Sequence, residues 1–436
     1  MPRLIVSLPP FIGTSGSDLV VGQEDIVGQE DNAFPAIGIE VLKKGIIDTQ
    51  AGNDTIKGTG TGNNETLNFS AGTGIANSGT INAGIGDDSI KGTGTAGEGF
   101  RGETARGIGI SNTQGGYING GDGKDLIFGT GKGAEESIDD LKPATGINNT
   151  QNSRIDGGFG NDSIFGTGIA AFEGSAVGIS NTDRSNINGG EGNDSIKGTG
   201  NGGTGKDGTG IFNSGASVIS GGKGNDSITG IGNGSDASLE PFRSFDAGRG
   251  IGISNSKGSV IDGGQGNDSI TAIGKGGEGS YDTPFGELGP GEGIGIVNSG
   301  IIKLGDGLDS LTGYGTSIGI QGGTIDGGNG NDYFKARLID ANGNPVLDQG
   351  GAIADVLIKG GGGSDTFDIG YGNATINGES GLDKLILPDS RNDYIIRGTS
   401  NNYTIKRDQF TLNLLNVEEI AFFGAAPQNS MLGIVN

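Results

Sequence analysis

One turn constrains this chain more than any other feature: G-G-x-G-x-D-x-(apolar), complete at Gly263-Gly264-Gln265-Gly266-Asn267-Asp268-Ser269-Ile270. Its glycines can take positive φ and let a second backbone approach closely. Its Asp carries hard carboxylate oxygens, and the closing apolar residue can enter a core. The turn's Asp recurs at Asp54, Asp88, Asp125, Asp162, Asp194, Asp226, Asp268, Asp309, Asp332 and Asp365, at spacings of 34, 37, 37, 32, 32, 42, 41, 23 and 33 residues. Seven copies are complete and open on Gly120, Gly157, Gly189, Gly221, Gly263, Gly327 and Gly360. Ala83 and Leu304 replace that glycine before Asp88 and Asp309, and Asp54 keeps only Gly52. Repetition of one supersecondary unit argues for a stack of coils that bury their apolar faces against one another.

A second signature, G-I-x-N-(S/T), precedes each turn, with its Asn at Asn77, Asn112, Asn149, Asn181, Asn213, Asn255 and Asn298; Gln321 takes that place in the shortest unit. From this residue to the next turn Asp the distance is 11 or 13 residues, a difference of two that preserves which side chains face inward along a strand. The other half of each unit varies, so a fixed scaffold carries insertions at one place per coil, at 95–106, 131–145, 201–209, 232–249 and 274–293. The unit from Asp309 to Asp332 shows the coil without an insertion: 23 residues holding three short apolar runs separated by glycines. Three strands at about 3.3 Å per residue plus turns predict an all-β, three-sided parallel β-helix or β-roll solenoid. No sustained 3.6-residue periodicity competes with this reading.

The expected divisions are an N-terminal cap with an incomplete first coil over 1–50, the repeat solenoid over 51–383, and a C-terminal β cap over 384–436. A degenerate turn ends at Asp383, only 18 residues after Asp365, which predicts a narrower last coil. Beyond it, Lys384–Leu387, Asp393–Ile396, Asn402–Lys406 and Phe410–Leu414 alternate and carry more aromatics, as expected of antiparallel strands that close an otherwise exposed end.

Composition narrows the chemistry. Glycine is 96 of 436 residues, a proportion that argues for disorder without a period and for repeats with one. The formal charge of −24 disfavours nucleic acid and anionic membrane surfaces as partners. Cysteine and histidine are both absent, which removes disulfides, thiol nucleophiles, Ser-His-Asp triads and His/Cys zinc sites. The start, Met1 to Pro10, is too short and proline-broken for a signal-peptide core, and no run approaches the roughly 20 apolar residues of a membrane span.

Stacked corners place the Asp carboxylates in a column about 4.8 Å apart. Like charges so close are costly unless neutralised. Oxygen-only donors on a carbonyl-rich turn suit Ca²⁺. The metal ligands expected are Asp88, Asp125, Asp162, Asp194, Asp226, Asp268, Asp309, Asp332, Asp365 and Asp383, together with Gly120, Gly157, Gly189, Gly221, Gly263, Gly327 and Gly360 through their carbonyls. Ten stacked corners leave about nine intervening sites, and nine divalent ions would take the charge from −24 to about −6.

The turn resembles the haemolysin-type, or repeats-in-toxin, calcium-binding repeat. The segment Asn402–Gly424, with Phe410-Thr411-Leu412 and Asn416 to Phe423, resembles the C-terminal caps of secreted bacterial members. The resemblance implies Ca²⁺ as cofactor and export by a type I route with an uncleaved C-terminal signal. That family runs its nonapeptides in tandem, whereas this chain has one turn per coil except between Asp365 and Asp383; six-oxygen sites completed by the usual partner turn do not follow, and water or acidic loop residues are the alternative ligands.

The Asn of G-I-x-N-(S/T) is read as a ladder of side-chain amides at an inner turn. The file Thr59, Thr93, Thr130, Thr167 and Thr199 is read as packing rather than an ice-binding array, because one rank is narrow and Ile231, Ile273 and Tyr314 continue it. The function expected is that of a non-catalytic, secreted or surface-exposed calcium-binding repeat protein with a structural or adhesive role. A calcium-dependent polysaccharide-active enzyme is an alternative, with Arg101, Arg106, Arg243 and Arg249 the basic residues near the insertions. Recognition of surface glycans through the insertions at 232–249 and 274–293 is another.

Overall fold

A computed structural model describes residues 2–26, 35–62, 70–97, 106–134, 143–171, 173–240, 243–279, 287–346 and 350–423. Their regular structure is β-strand apart from one short 3₁₀ turn at Arg391–Asp393. A representative coil has strands Gly107–Asn112, Tyr117–Asp122 and Leu126–Lys132. Each pairs in parallel with its counterparts one coil before and after: Ile110 with Ile75 and Ile147, Ile118 with Ile81 and Ile155, Ile127 with Ile90 and Ile164. This in-register pairing establishes the parallel β-solenoid. First and second strands belong to one sheet of 25 strands, and third strands to a facing sheet of 14.

The register follows from where the isoleucines lie. Each strand contributes one isoleucine to the interior, so a coil buries a triplet such as Ile179, Ile187 and Ile196, all essentially inaccessible. Burying three such side chains contributes on the order of 5–9 kcal/mol per coil before chain entropy is counted. A one-residue slip would expose the whole triplet.

Glycine sets the thickness of the stack. The GTG glycine of a third strand faces the GIG glycine of the next first strand: Gly92 against Gly109, Gly129 against Gly146, Gly166 against Gly178, Gly198 against Gly210. A Cβ on Gly198 would come under 3.0 Å from the carbonyl of Gly210. The cross-section is therefore pinched, backbone on backbone, beside the insertions and filled by isoleucine towards the G-G-x-G-x-D corner.

The first strands are held by the amide ladder expected from the Asn spacing. Nδ2 of Asn77, Asn112, Asn149, Asn181, Asn213 and Asn255 each donates to Oδ1 of the Asn in the next coil at 2.8–3.0 Å. The same Nδ2 groups also donate to backbone carbonyls, as Asn213 does to Val260 O at 2.9 Å.

At the C-terminal end, Ile353–Gly362 and Gly372–Ser380 each run straight through what are two strands elsewhere, so the last coil is a two-strand one. Ile395–Thr399, Asn402–Arg407 and Phe410–Leu415 form an antiparallel sheet over the end. One expectation fails here: Lys384–Leu387 is parallel to its neighbours and continues the third-strand sheet, and Glu419–Phe422 pairs with it in parallel. Leu385 and Leu387 are buried as the preceding third-strand side chains are, so core register outweighs the change of composition. At the N-terminal end, Leu4–Val6, Phe11–Ile12 and Leu19–Asp25 pair in register with the strands of the following coil. Among the described residues no helix is long and apolar enough to cross a membrane.

Candidate metal centre

Every turn Asp points into the solenoid. Asp54, Asp88, Asp125, Asp162, Asp194, Asp226, Asp268, Asp309, Asp332, Asp365 and Asp383 are each 1–3 % exposed and form one file along the inner edge of the corner. Their backbone and side chains make a continuous chain of hydrogen bonds. The N–H of each Asp donates to Oδ1 of the Asp one coil on: Asp88 to Asp125 at 2.8 Å, Asp125 to Asp162, Asp162 to Asp194, Asp194 to Asp226 and Asp226 to Asp268 at 2.7 Å. The chain starts at Asp18, whose N–H donates to Asp54, and ends where the N–H of Asp383 donates to Glu418 Oε2 at 2.8 Å. Glu418, in the C-terminal cap, thus takes the place of a further turn Asp.

The second carboxylate oxygen has no such partner. Oδ2 of each of these eleven turn Asp residues is inaccessible and accepts no hydrogen bond. An ionised oxygen buried without a partner is costly, and one per coil is a systematic feature. Burial raises Asp125, Asp194, Asp268 and Asp332 to about 7 and Asp88, Asp162, Asp226 and Asp365 to about 6, with neighbouring carboxylates adding to it at all of these but Asp226. Asp309 and Asp383 move upward for the same first reason.

The first glycine of the turn lines the space that Oδ2 faces. A Cβ on Gly120 would come under 3.0 Å from both Asp125 Oδ2 and the carbonyl of Gly157. The same two kinds of oxygen crowd the missing Cβ of Gly157, Gly189, Gly221, Gly263, Gly327 and Gly360. Carboxylate and carbonyl oxygens therefore converge on a glycine-sized cradle in coil after coil. An all-oxygen donor set suits a hard divalent cation, so these residues fit Ca²⁺. At two coils the cradle is filled instead, by the buried side chains of Ala83 and Leu304. At Asp54 it holds Thr49, whose hydroxyl donates to Ala83 O at 2.6 Å.

Among the described residues no three His, Cys, Asp or Glu side chains gather into one cluster. The file is a ladder of single carboxylates, and the other oxygens that face each cradle are backbone carbonyls. The insertions leave from the far end of a seven-residue third strand such as Leu126–Lys132, about 20 Å from the corner. Of their described acidic residues, Asp207 and Asp236 accept hydrogen bonds from the N–H of Arg249 and of Glu278, and Glu292 pairs with Arg249, so these three are engaged within the insertions.

Sequence reasoning missed a second ladder. Where Asn precedes the Asp in successive coils, it bonds in the opposite direction along the stack: Asn161 Oδ1 accepts from the N–H of Asn193, Asn193 from Asn225, and Asn225 from Asn267, all at 2.7 Å. Its signal was the repeated Asn-Asp pair, whose two side chains tie each corner to both neighbours.

The other candidates are dispersed. Arg249 pairs with Glu292 at 3.2 Å, and Arg106 is half-buried. Arg101, the side chain of Arg243, much of the insertions at 95–106 and 131–145, residues 280–286, and the tail from 424 lie outside the described residues. The threonine file is half-exposed and faces outward beside the longer side chains Lys57, Lys91, Phe128, Phe165 and Lys197, so it does not pack in the core as the sequence suggested.

No family model matches the chain, and no curated protein matches its sequence. One solved structure similar to it is the X-ray crystal structure of a hyperactive, Ca²⁺-dependent, β-helical antifreeze protein from an Antarctic bacterium: 15 % identity, 96 % of each chain covered, TM-score 0.38. The superposition is too loose to carry weight; the solenoid assignment rests on the strand register of this chain.

Proposed function

We propose that this protein is a calcium-binding, non-catalytic solenoid with a structural or adhesive role outside the cell, whose folding is coupled to the metal. The observation that carries the reading is the file of eleven buried Oδ2 atoms without hydrogen-bond partners. Without cations the file places like charges one coil apart in a protein whose formal net charge, the file included, is −24. With them, each carboxylate gains a counter-charge that also joins coil to coil. The carboxylates of Asp125, Asp162, Asp194, Asp226, Asp268, Asp332, Asp365 and Asp383, with the carbonyls that face their open cradles, those of Gly157, Gly189, Gly221, Gly263, Leu304, Gly360, Gly378 and Asn416, would hold the ions; the carbonyls of Gly120 and Gly327 face no open cradle. A bound ion's free energy is then folding free energy, so millimolar calcium outside a cell favours the compact state. A chain without cysteine gains from calcium the cross-linking that disulfides supply elsewhere. The test is circular dichroism and urea unfolding in EDTA, 5 mM Mg²⁺ and 5 mM Ca²⁺. Calcium-specific gain of β signal and a raised midpoint are expected; superimposable curves in EDTA and calcium would defeat the reading.

A further inference from the structure

We infer that the outer face of the second strands is a binding trough for a linear, extended, uncharged glycan. This site is separate from the buried Asp file and does not depend on it. Along each second strand, alternate side chains face outward, as Tyr117 and Asn119 do, until the second glycine of the turn is reached. That position is glycine in coil after coil (Gly121, Gly158, Gly190, Gly222), and its φ of 114–124° disfavours any side chain. The outcome is a side-chain-free floor running along the solenoid axis. One wall is the outward row Asn119, Asp156 and Asn188, and the other is the corner row Asp122, Phe159 and Glu191. Together they enclose a groove of about 600 Å³.

Three properties select the occupant. The floor and walls lie on an unbroken sheet whose strands pair on both sides, so no strand edge faces the groove for an extended peptide to join. Recognition must come from side chains, and the walls offer amides and carboxylates, Asn188 already donating to Asp156 Oδ1 at 2.9 Å. The amides donate and accept and the carboxylates accept, a mixed set that suits hydroxyls. Phe159, 58 % exposed, stands at the rim of this polar groove and offers apolar ring surface beside hydrogen-bonding groups; Tyr117 also lines it, with the Arg154 guanidinium over its ring. Charges within the groove are largely paired internally, Lys223 with Glu191 at 2.6 Å and Arg154 with Asp156, which favours an uncharged ligand. The coil repeat of about 4.8 Å is close to the length of one sugar residue in an extended chain, so identical wall positions meet successive sugars.

Isothermal titration calorimetry of the calcium-loaded full chain with cellohexaose, chitohexaose and mannohexaose tests this, with polygalacturonate as the anionic comparison and an extended oligopeptide as the alternative class. At least one hexasaccharide should bind with a Kd of about 10 µM to 1 mM, while the polyanion and the peptide do not. Phe159→Ala and Asn188→Ala should each weaken binding about tenfold. Phe423→Ala, an exposed aromatic in the C-terminal cap, should leave it unchanged. Both groove residues are at the surface, and an unaltered circular dichroism spectrum would show that the variants fold. Absence of binding across the hexasaccharides, equal binding by the groove variants, or binding of the peptide alone would overturn the assignment.

Discussion

Asp194→Asn separates the two roles that the turn carboxylate is assigned. In the wild type, Asp194 Oδ1 accepts the N–H of Asp162 at 2.7 Å while Oδ2 is buried without a partner. The amide keeps an acceptor for Asp162 and replaces the bare anionic oxygen with a donor facing the carbonyl of Gly221. Burial raises the Asp194 carboxyl from 3.8 to about 7. Three pH units correspond to at most about 4 kcal/mol of destabilisation when the group is ionised. Hydration at the corner and shared protonation along the file reduce this to about 1–2 kcal/mol. In EDTA at pH 8 the variant should therefore be more stable than wild type by about that amount. In saturating calcium the sign should reverse. Asp194 Oδ2 faces the cradle of Gly189, and weakening the ion there about a hundredfold removes about 3 kcal/mol. Urea unfolding followed by circular dichroism, at pH 8 with EDTA or 5 mM Ca²⁺, reads both numbers. Equal destabilisation in the two buffers would show that the carboxylate serves only as a hydrogen-bond acceptor. Stabilisation in both would show that no cation occupies the file.

Stability of the metal-free protein should fall as pH rises from about 4 to about 7, because folded carboxyls with raised values bind more protons there than unfolded ones near 3.9; calcium should reverse the trend, since protons compete with the ion, and thermal scans in the two buffers check it. Asn213→Ala removes the acceptor of Asn181 and the donor to Asn255 in a fully buried ladder, and should cost about 2–3 kcal/mol by urea unfolding, with or without calcium. Gly198→Ala drives a methyl against the carbonyl of Gly210 and should cost about 1–3 kcal/mol or more, whereas Gly289→Ala meets nothing within 4 Å and should change stability by about 0.5 kcal/mol or less. Leu304→Gly should open the cradle beside Asp309: a calcium-loaded sample is expected to hold one more equivalent by atomic absorption, and an unchanged stoichiometry would argue that the cradle is not where the ion sits.

Much of the site was legible because local chemistry repeats. One G-G-x-G-x-D turn per coil is enough to establish a stack, and the constant step from Asn to Asp preserves side-chain parity, so the isoleucine triplets and the amide ladder follow without knowledge of the fold. The Asp file follows for the same reason: identical turns in register must place identical side chains one coil apart.

Other features depend on contacts between segments whose separation no local pattern encodes. That the carboxylates face inward with one oxygen bare depends on how the corner closes over the first glycine. That Gly198 touches Gly210 depends on the two sheets meeting without side chains between them. Lys384–Leu387 looks like the start of an antiparallel cap, yet it stays in the parallel sheet because its leucines continue the core. Glu418 ends the Asp ladder from a different segment altogether. Periodicity determined the stack and its inward residues; the depth of the corner, the pinch between sheets and the ending of each ladder were decided by packing in three dimensions.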